Sequence, residues 1–386
     1  MRIAIVAFHP LASDSRVLRT ARALHEAGHG VLLVGHGPAP EGVSCDVALL
    51  PDPPSPFRVR AGLVLRQAPA TLVRASAMPL YWMNAARRRA REILNAHRPD
   101  IVHANDWNTL PLALEAKARW GAKIVYDTHE MAVAEYEHSL KWRLAALRHV
   151  GAIEAQGIAR ADAVITVSPG IARALPQMYP GLRSPVVVRN VPDAAPAPFH
   201  PTGETVTALF HGLLRNNRGL EPILASMPAW PEAFRLILRG PCAPAYRAAL
   251  EGQAAAQGVA RRVVFEPPVA PEQVVPHAAQ ADLGLCILPD TSRHNRYALP
   301  NKLFEYLMAG LGVVVSPLPD MAEIVESTGC GVMAGAEPAA IAAAIGSLDR
   351  PGIDRLKRQA LAAARTLNWA QESRKLVEVY EMLPRP

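Results

Sequence analysis

The sequence lacks the features of membrane-spanning, secreted and disulfide-bonded proteins. Its longest stretches without Asp, Glu, Lys or Arg, Ala27–Pro40 and Tyr306–Pro319, have 14 residues each, whereas a transmembrane helix needs about 20 apolar residues. The opening residues, MRIAIVAFHP, are typical of a β-strand and contain no signal-peptide cleavage site. The four cysteines are scattered and form no CxxC pair. We therefore expect a cytoplasmic protein without disulfides or structural zinc.

Several catalytic and nucleotide-binding motifs are also absent. No GxGxxG follows the first apolar run, because AFHPLASDSR contains no glycine, and this argues against a dinucleotide-binding domain at that point. The absence of GxxxxGK[ST] excludes a P-loop. GxSxG is missing as well, so a serine hydrolase of that type has no support.

The composition indicates two folded domains with unequal charge. The chain has 386 residues, of which 50% are hydrophobic and 19% charged, a balance typical of folded domains. Residues 1–190 contain 23 Lys and Arg against 15 Asp and Glu, a net charge of +8, whereas residues 191–386 contain 18 against 19, a net charge of −1. This asymmetry indicates either an anionic partner for the first half or a solvated basic surface. A nucleic-acid partner is not expected, because no recognised binding motif accompanies the charge.

Short apolar runs alternate with helical patterns along the whole chain, which predicts parallel sheets covered by helices on both faces. The predicted strands are Ile3–Phe8, Val31–Val34, Ile101–Ala104, Lys123–Tyr126, Ala163–Val167, Val186–Arg189, Val206–His211, Phe234–Leu238, Val263–Phe265, Leu283–Ile287 and Val313–Val315.

A segment without periodicity separates two such α/β regions. Asn190–Thr205 is rich in Pro and small residues, which is typical of a linker. We therefore predict one domain over residues 1–190, a linker over 191–204, a second domain over 205–368 and a C-terminal helical segment over 369–386. Ligands of such sheets bind outside the carboxyl ends of the strands.

One candidate anion site is LPNKLFEYLMAG (Leu299–Gly310). Its Pro-Asn-Lys turn leads into a predicted helix, so free backbone N–H groups and Lys302 suit a diphosphate. Glu305 is placed to accept hydrogen bonds from a ribose. The alternative is an ordinary helix on which Lys302 and Glu305 form an exposed i,i+3 pair.

A second basic turn, GLLRNNRG (Gly212–Gly219), directly follows a predicted strand. Two arginines between two glycines at the junction of a strand and a helix suit a phosphate group. The alternative is that these arginines are only solvated.

Together these segments resemble the retaining nucleotide-sugar glycosyltransferases of the family 4 type. The resemblance implies the GT-B fold, an α/β architecture of two doubly wound Rossmann-like domains facing across a cleft, with a C-terminal helix that returns to the N-terminal domain. The segments that carry it, in chain order, are Ser13–Val31, Asp100–Trp107, Val125–Glu130, Asp162–Gly170, Val186–Asp193, Phe210–Leu224, Leu299–Ser316 and Asn368–Leu383.

The resemblance also implies a role for each matched position. The implied catalytic residues are His129 and Asp106. Glu305 is implied to bind the ribose of the nucleotide. The groups implied to bind the donor diphosphate are Arg218, Lys302, Gly212 and Arg215. Those implied to lie on the acceptor side are Asp14, Arg16, His103 and Glu130.

The sequence departs from the family pattern in the donor half. Tyr297 stands where the family has the first of two glutamates, so the usual carboxylate partner of the donor sugar is absent there. Asp290 and Asn295 are the candidate replacements, and Tyr297 and Asn301 are further candidates around the donor sugar. Leu213 stands where an arginine commonly follows the donor-loop glycine, with Arg215 as a possible substitute. These departures affect which nucleotide sugar is expected as the donor more than they affect which reaction is expected.

The resemblance implies sugar transfer from a nucleotide-sugar donor to a carbohydrate or lipid-linked acceptor, with retention of configuration and without a metal or other cofactor. The expected setting is polysaccharide or lipopolysaccharide biosynthesis for the cell envelope or for export. Two alternatives remain open. Tyr297 leaves room for a nucleotide-sugar epimerase of the same architecture, and a catalytically inactive GT-B protein that binds a glycan or a partner is the other.

A basic segment, NAARRRAREIL (Asn84–Leu94), follows Tyr81 and Trp82. Its arginines, Arg87, Arg88, Arg89 and Arg91, suit the anionic inner face of a membrane. The alternative is a solvated helix on the first domain.

Overall fold

The computed structural model describes residues 1–51, 77–134, 137 and 139–384. The chain forms two compact units. The first consists of Met1–Arg189, Ser292–His294 and Ser373–Pro386, and the second of Asn190–Thr291 and Asn295–Glu372. Within the described residues, none of the helices combines the length and apolar composition required to span a membrane.

The first unit is built on a parallel sheet. Its order is β3-β2-β1-β4-β5-β6-β7, and the strands are β1 (Arg2–Pro10), β2 (Gly30–His36), β3 (Asp46–Leu49), β4 (Ile101–Asn105), β5 (Lys123–Asp127), β6 (Ala163–Thr166) and β7 (Val186–Val187). The chain reverses its direction of winding between β1 and β4. The loops after these two strands therefore diverge, and this is the position where α/β sheets bind ligands.

Helices accompany this sheet in the first unit. They are α1 (Ser15–Glu26), α2 (Ala77–Trp82), α3 (Ala85–His97), α4 (Leu110–Trp120), α5 (Leu140–Ala145), α6 (Leu147–Ile158) and α7 (Pro169–Met178). Local sequence sets their ends. Asp14 accepts a hydrogen bond from the Val17 amide at the start of α1, and Asn84 caps α3 in the same way. Gly121 ends α4 in the left-handed conformation.

The second unit repeats the same winding. Its sheet order is β10-β9-β8-β11-β12-β13, and the strands are β8 (Val206–His211), β9 (Phe234–Arg239), β10 (Val263–Glu266), β11 (Leu283–Cys286), β12 (Gly312–Val315) and β13 (Gly331–Met333). The reversal lies between β8 and β11. The helices are α8 (Leu220–Ser226), α9 (Pro244–Ala256), α10 (Val274–Ala278), α11 (Arg293–Arg296), α12 (Asn301–Met308), α13 (Pro319–Thr328), α14 (Pro338–Gly346), α15 (Arg350–Ala364) and α16 (Trp369–Glu381); the units above divide α11 and α16 between them.

The two Rossmann-like sheets confirm the predicted fold class, and every predicted strand is present. Two strands were missed, β3 and β13. Both lie at a sheet edge and are short, with partly exposed residues, so neither shows a buried apolar run. Residues 190–205 form no helix or strand. Thr202 donates to Asp354 Oδ1 from its amide and from its hydroxyl, at 2.8 and 2.7 Å, and this anchors the segment to α15.

Candidate active site

The carboxyl edge of the second sheet brings Glu305 next to His211. His211 is the last residue of β8, and its Nε2 lies 2.8 Å from Glu305 Oε2 on α12. The His211 amide donates to the Tyr306 hydroxyl at 3.0 Å, and the two rings are 4.6 Å apart. Tyr306 is fully buried, and its ring lies where any side chain at position 284 would sit, so Gly284 is required there. The Glu305 carboxylate is therefore held by a packed support while its side chain stays partly exposed, at 26%.

Glycines allow the chain to turn tightly at this edge. Gly212 has a φ of 115°, and a Cβ at Gly240 would lie 2.0 Å from the Gly212 carbonyl oxygen. Gly219, at the start of α8, has a φ of 78°, and its Cβ would lie 2.3 Å from the carbonyl oxygen of Ile287. The basic loop between Gly212 and Gly219 is consequently pinned at both ends by backbone contacts that only glycine permits.

Lys302 and Arg218 form the basic part of this edge. Lys302 Nζ lies 3.4 Å from the centroid of the Phe210 ring, a cation–π contact. Burial lowers the pKa of Lys302 to about 8; the nearby Arg218 adds to this shift, whereas Cys286 and Glu305 oppose it. Burial also raises the pKa of the Cys286 thiol to about 11, against the effect of the two cations. Lys302 and Glu305 thus contact the sheet separately, and the alternative of an exposed i,i+3 pair is wrong.

The other donor-side candidates lie outside this packed group. Arg215 and Asn301 are exposed, whereas Tyr297 is half-buried. Asp290 forms an exposed ion pair with Arg296, with 2.7 Å between Oδ2 and Nη2. Since the Asp290 carboxylate is held by an arginine, it is a weaker candidate for a sugar hydroxyl than the sequence suggested.

At the carboxyl edge of the first sheet, a histidine lies between two aspartates. His9 Nδ1 is 3.5 Å from Asp14 Oδ2, and His9 Nε2 is 3.4 Å from Asp106 Oδ2. Burial alone would raise the pKa of Asp14, but the hydrogen bond with His9 and the nearby His129 outweigh it, so the pKa is lowered. Burial raises the pKa of Asp106, and the imidazoles of His129 and His9 only partly oppose this. Two carboxyl groups with opposite pKa shifts therefore share one imidazole.

The two predicted catalytic residues adopt a backbone conformation unusual for side chains other than glycine. Asp106 follows β4 with a φ of 61°, and His129 lies just after β5 with a φ of 50°. Such conformations cost about 1–3 kcal/mol each and cluster at functional sites. His129 Nε2 donates to Asn105 Oδ1 at 3.0 Å, which orients the ring.

Two predicted acceptor-side residues are instead part of the core. Arg16 is 2% exposed and forms a bidentate pair with Asp127, at 2.8 and 2.9 Å, while its Nη1 donates to the Val188 carbonyl. His103 is fully buried within β4, where Nδ1 bonds the Tyr380 hydroxyl and Nε2 lies 3.7 Å from Asp127 Oδ2. The expectation that Arg16 and His103 face an acceptor is corrected accordingly, because neither side chain reaches solvent.

Asp14 and Glu130 remain near the surface. Asp14 caps α1 and contacts His9, whereas Glu130 is 53% exposed and lies 3.6 Å from His294. His9 and His211 were not predicted from the sequence as site residues. Each lies at the carboxyl end of the strand next to the winding reversal, β1 or β8, and that position is the signal that could have identified them.

The basic segment of the first unit folds as α3 and packs on two aromatic rings. The guanidinium of Arg87 lies 4.0 Å from the Tyr81 ring centroid, and that of Arg91 lies 5.0 Å from the Trp82 centroid. Elsewhere, the described part of the chain contains no cluster of three or more His, Cys, Asp or Glu suited to a metal ion.

Comparison with known proteins gives two family matches. Residues 13–192 match the glycosyl transferase 4-like domain, and residues 205–349 match the glycosyl transferases group 1 domain. A D-inositol 3-phosphate glycosyltransferase from Acidothermus cellulolyticus is 26% identical over 383 residues, which are 89% of this chain and 82% of that protein.

Solved structures share the fold at lower identity. Sucrose-phosphate synthase from Thermosynechococcus elongatus superposes with a TM-score of 0.79 at 16% identity, covering 99% of this chain and 98% of the other. Anabaena HepE in complex with UDP-glucose superposes with a TM-score of 0.75 at 16% identity, covering 99% and 100%.

Proposed function

Since this chain belongs to the family-4-type glycosyltransferases and has the GT-B fold, we propose that it transfers a sugar from a nucleotide-sugar donor to a carbohydrate or lipid-linked acceptor. One observation carries the proposal: Lys302 and Glu305 contact Phe210 and His211 at the end of β8, next to the winding reversal of the second sheet. Arg218 lies within electrostatic range of Lys302. Two cations beside a carboxylate match a diphosphate attached to a ribose.

The second unit is the donor side in this proposal. Arg218 and Lys302 bind the diphosphate, with Arg215 and the Gly212 turn nearby in the chain. Glu305, supported by His211, accepts hydrogen bonds from the ribose hydroxyls. The complex of HepE with UDP-glucose supports a nucleotide-sugar donor, and the name of the inositol phosphate glycosyltransferase supports glycosyl transfer.

The chemical step is stabilised mainly by electrostatics. The bond between the anomeric carbon and the diphosphate oxygen breaks, and its electron pair stays on the diphosphate. Lys302 and Arg218 are placed to stabilise that charge, a type of contact whose removal costs about a hundred- to a thousandfold in rate. The acceptor oxygen bonds to the anomeric carbon on the face that the phosphate leaves, so the configuration is retained. The departing phosphate oxygen takes the proton of the acceptor hydroxyl.

The first unit is the acceptor side in this proposal. Asp106 and His129 project from the ends of neighbouring strands, and His9 links Asp106 to Asp14. These groups are suited to hydrogen-bond sugar and acceptor hydroxyls. Because burial raises the pKa of Asp106, its carboxyl group holds a proton more readily than an exposed aspartate and can also donate.

We further propose that the acceptor belongs to an envelope or exported polysaccharide, met at an anionic lipid surface. Arg88 and Arg89 are exposed on α3, and the neighbouring Met83 is 52% exposed. Basic side chains beside an apolar one suit the headgroup region of a bilayer.

The test begins with a thermal-shift screen of UDP, GDP, ADP and TDP and their common sugars. We expect stabilisation by one nucleotide, followed by release of its diphosphate once an acceptor extract is added. Glu305→Ala is the negative control, and Arg247→Ala, which changes an exposed arginine on α9, is the matched control. If no nucleotide or nucleotide sugar in the panel stabilises the protein, the proposal is contradicted and an inactive binding protein is favoured.

A nucleotide-sugar epimerase is the second candidate, and the observation that favours it is Tyr297 at the position of the first family glutamate. The same assay separates the two enzymes. An epimerase converts the donor sugar without an acceptor, whereas a transferase releases diphosphate only when an acceptor is present.

A further inference from the structure

Two cavities lie at the amino edge of the second sheet, the edge opposite the candidate donor site. Their volumes are about 400 and 390 Å³, within the range of small-molecule sites. Thr207, near the start of β8, lines the larger cavity, whereas His211 at the end of the same strand contacts Glu305. Thr207 and His211 are four residues apart in the strand, so the two edges are separated by about 13 Å.

Both cavities border the same face of α15. Arg350, Asp354 and Arg358 line the smaller cavity, and Lys357 lines the larger one. Because these positions are spaced i, i+4, i+7 and i+8, they lie on one side of the helix. This side of α15 therefore presents three cations and one carboxylate.

The segment 199–205 packs against this face of α15. The amide and the hydroxyl of Thr202 both donate to Asp354 Oδ1, and the Arg358 guanidinium lies 4.5 Å from the centroid of the Phe199 ring. Thr202 also lines the smaller cavity, while residues on either side of it line the larger one. The two cavities are therefore neighbouring parts of one groove between the segment and the helix, called the α15 groove below.

Lys357 is the buried cation of the larger cavity. Its side chain is 4% exposed, and Nζ donates to Asp282 Oδ1 at 2.9 Å. Asp282 Oδ2 accepts from the Thr207 amide at 2.9 Å, so both oxygens of this carboxylate are used. An ammonium group has three N–H donors, and within the described part of the chain no second acceptor contacts that of Lys357. Its remaining donors are therefore suited to oxygen atoms of a ligand in the cavity.

The other polar groups of the larger cavity can both donate and accept hydrogen bonds. They are two hydroxyls, an amide and an imidazole, which belong to Thr205, Thr207, Gln280 and His200. Ligand hydroxyl groups also donate and accept. The larger cavity is therefore suited to the hydroxyl groups of a polyol.

The smaller cavity has an excess of positive charge. Arg350 and Arg358 are exposed, and among the described residues Arg350 has no hydrogen-bond or ion-pair partner. Asp354 is the only carboxylate that lines this cavity, and Thr202 already occupies its Oδ1. Guanidinium groups bind phosphate oxygens through paired N–H donors. Two guanidiniums beside one carboxylate therefore suit a phosphate group with a hydroxyl next to it, which can donate to Asp354 Oδ2.

We propose that the α15 groove is a binding site for a phosphorylated polyol, separate from the candidate donor site. The phosphate group binds Arg350 and Arg358, and the hydroxyl groups extend into the cavity of Lys357. The site is independent of the proposed sugar transfer, because every group that forms it lies at the opposite edge of the second sheet.

Calorimetry with the full chain tests this site, with sorbitol 6-phosphate, sorbitol and inorganic phosphate as probes. We expect sorbitol 6-phosphate to bind at least about tenfold more tightly than either of the other two, since it alone has groups for both cavities. Arg350→Gln combined with Arg358→Gln should weaken its binding about ten- to a hundredfold. Both arginines are exposed, so this variant should fold as the wild type does.

The matched control is Arg355→Gln combined with Arg365→Gln. Arg355 lies on α15 and Arg365 directly follows it; both are exposed and lie outside the two cavities. This control loses the same charge and should bind sorbitol 6-phosphate with wild-type affinity. Arg218→Ala, which alters the candidate donor site, should also leave this affinity unchanged.

Three results would overturn the proposal. The first is that sorbitol 6-phosphate does not bind, or binds no more tightly than inorganic phosphate. The second is an equal loss of affinity in the two double variants, which would indicate a general effect of charge. The third is loss of binding in Arg218→Ala with full binding in the variant of Arg350 and Arg358, which would place the probe in the donor site.

Discussion

The carboxylate of Glu305 lies 2.8 Å from Nε2 of His211, although the two residues belong to different elements, α12 and the end of β8. The pair joins the helix of the candidate donor site to the strand at the winding reversal. His211 is itself held through its amide by Tyr306, one residue after Glu305. The position of the Glu305 carboxylate is therefore set by packing within the second unit.

The first prediction concerns this pair. Glu305→Ala should lower kcat/KM for the nucleotide sugar at least about a hundredfold, because it removes the proposed acceptor of the ribose hydroxyls. His211→Phe should lower kcat/KM about tenfold, mainly by raising KM, because the Glu305 carboxylate remains but loses the contact with the imidazole. Steady-state kinetics with the donor that the nucleotide screen selects would measure both.

Rescue separates positioning from structure in the same experiment. His211→Gln keeps a polar group at this position and should recover much of the lost affinity. Glu323→Ala, at an exposed site on α13, should leave the kinetics unchanged. Wild-type rates in Glu305→Ala would rule out the ribose assignment.

The second prediction concerns Arg218. Arg218→Ala should weaken nucleoside diphosphate binding about ten- to a hundredfold, since a charge-assisted contact to phosphate is lost. Arg218→Lys should recover only part of the lost affinity, because an ammonium group cannot bind two phosphate oxygens in the fork geometry of a guanidinium. Calorimetry with Arg247→Ala as control would measure the difference, and an unchanged Kd in Arg218→Ala would refute the assignment.

The third prediction concerns pH. Burial lowers the pKa of Lys302 to about 8, so its cation is present below this pH and is lost as the pH rises through it. Diphosphate binding should therefore weaken between about pH 7 and about pH 9, by up to tenfold. Lys302→Met should bind more weakly throughout and should lose this pH dependence. A wild-type affinity that stays constant across this range would count against a phosphate contact by Lys302.

The fourth prediction concerns the buried pair of Arg16 and Asp127. Asp127→Asn should destabilise the first unit by about 3–5 kcal/mol, because it leaves a buried guanidinium without its counter-charge. The control is Glu92→Gln, which removes an exposed pair with Arg89 and should cost at most about 1 kcal/mol. Urea denaturation would compare them, and equal midpoints would contradict a stabilising role for the buried pair.

Acid should act through the same carboxylate. Burial alone would raise the pKa of Asp127, but the Arg16 guanidinium, together with His129 and His103, outweighs it and holds the pKa well below its usual range. A depressed pKa in the folded state contributes stability above the unfolded value of about 4, and this contribution is lost as the pH falls below it. The acid sensitivity of unfolding should therefore be smaller in Asp127→Asn.

The fifth prediction concerns the basic face of α3. Replacing its four arginines by Gln should abolish co-sedimentation with vesicles that contain anionic lipid, since each contributes about 1 kcal/mol near such a surface. Vesicles of neutral lipid provide the control. Equal sedimentation of wild type and variant would remove the membrane part of the proposal. The altered residues are Arg87, Arg88, Arg89 and Arg91.

The sequence by itself determined the architecture of both units. Alternating apolar runs and helical patterns are local signals, and they sufficed to predict two parallel α/β sheets and the segment between them. The basic turn ending at Arg218 and the helix carrying Lys302 and Glu305 were also visible, because each is a short motif at the end of an element. The edge strands β3 and β13 escaped because little of their surface is buried.

Only the tertiary structure decided what each polar side chain contacts. The spacing of Lys302 and Glu305 allowed an exposed pair, yet one packs on Phe210 and the other meets His211. Arg16 was expected on the acceptor side, and its partner Asp127 lies 111 residues away in the chain. Whether a charge is solvated, paired in the core or left available to a ligand depends on which strands are neighbours in the sheet, and local sequence does not carry that information.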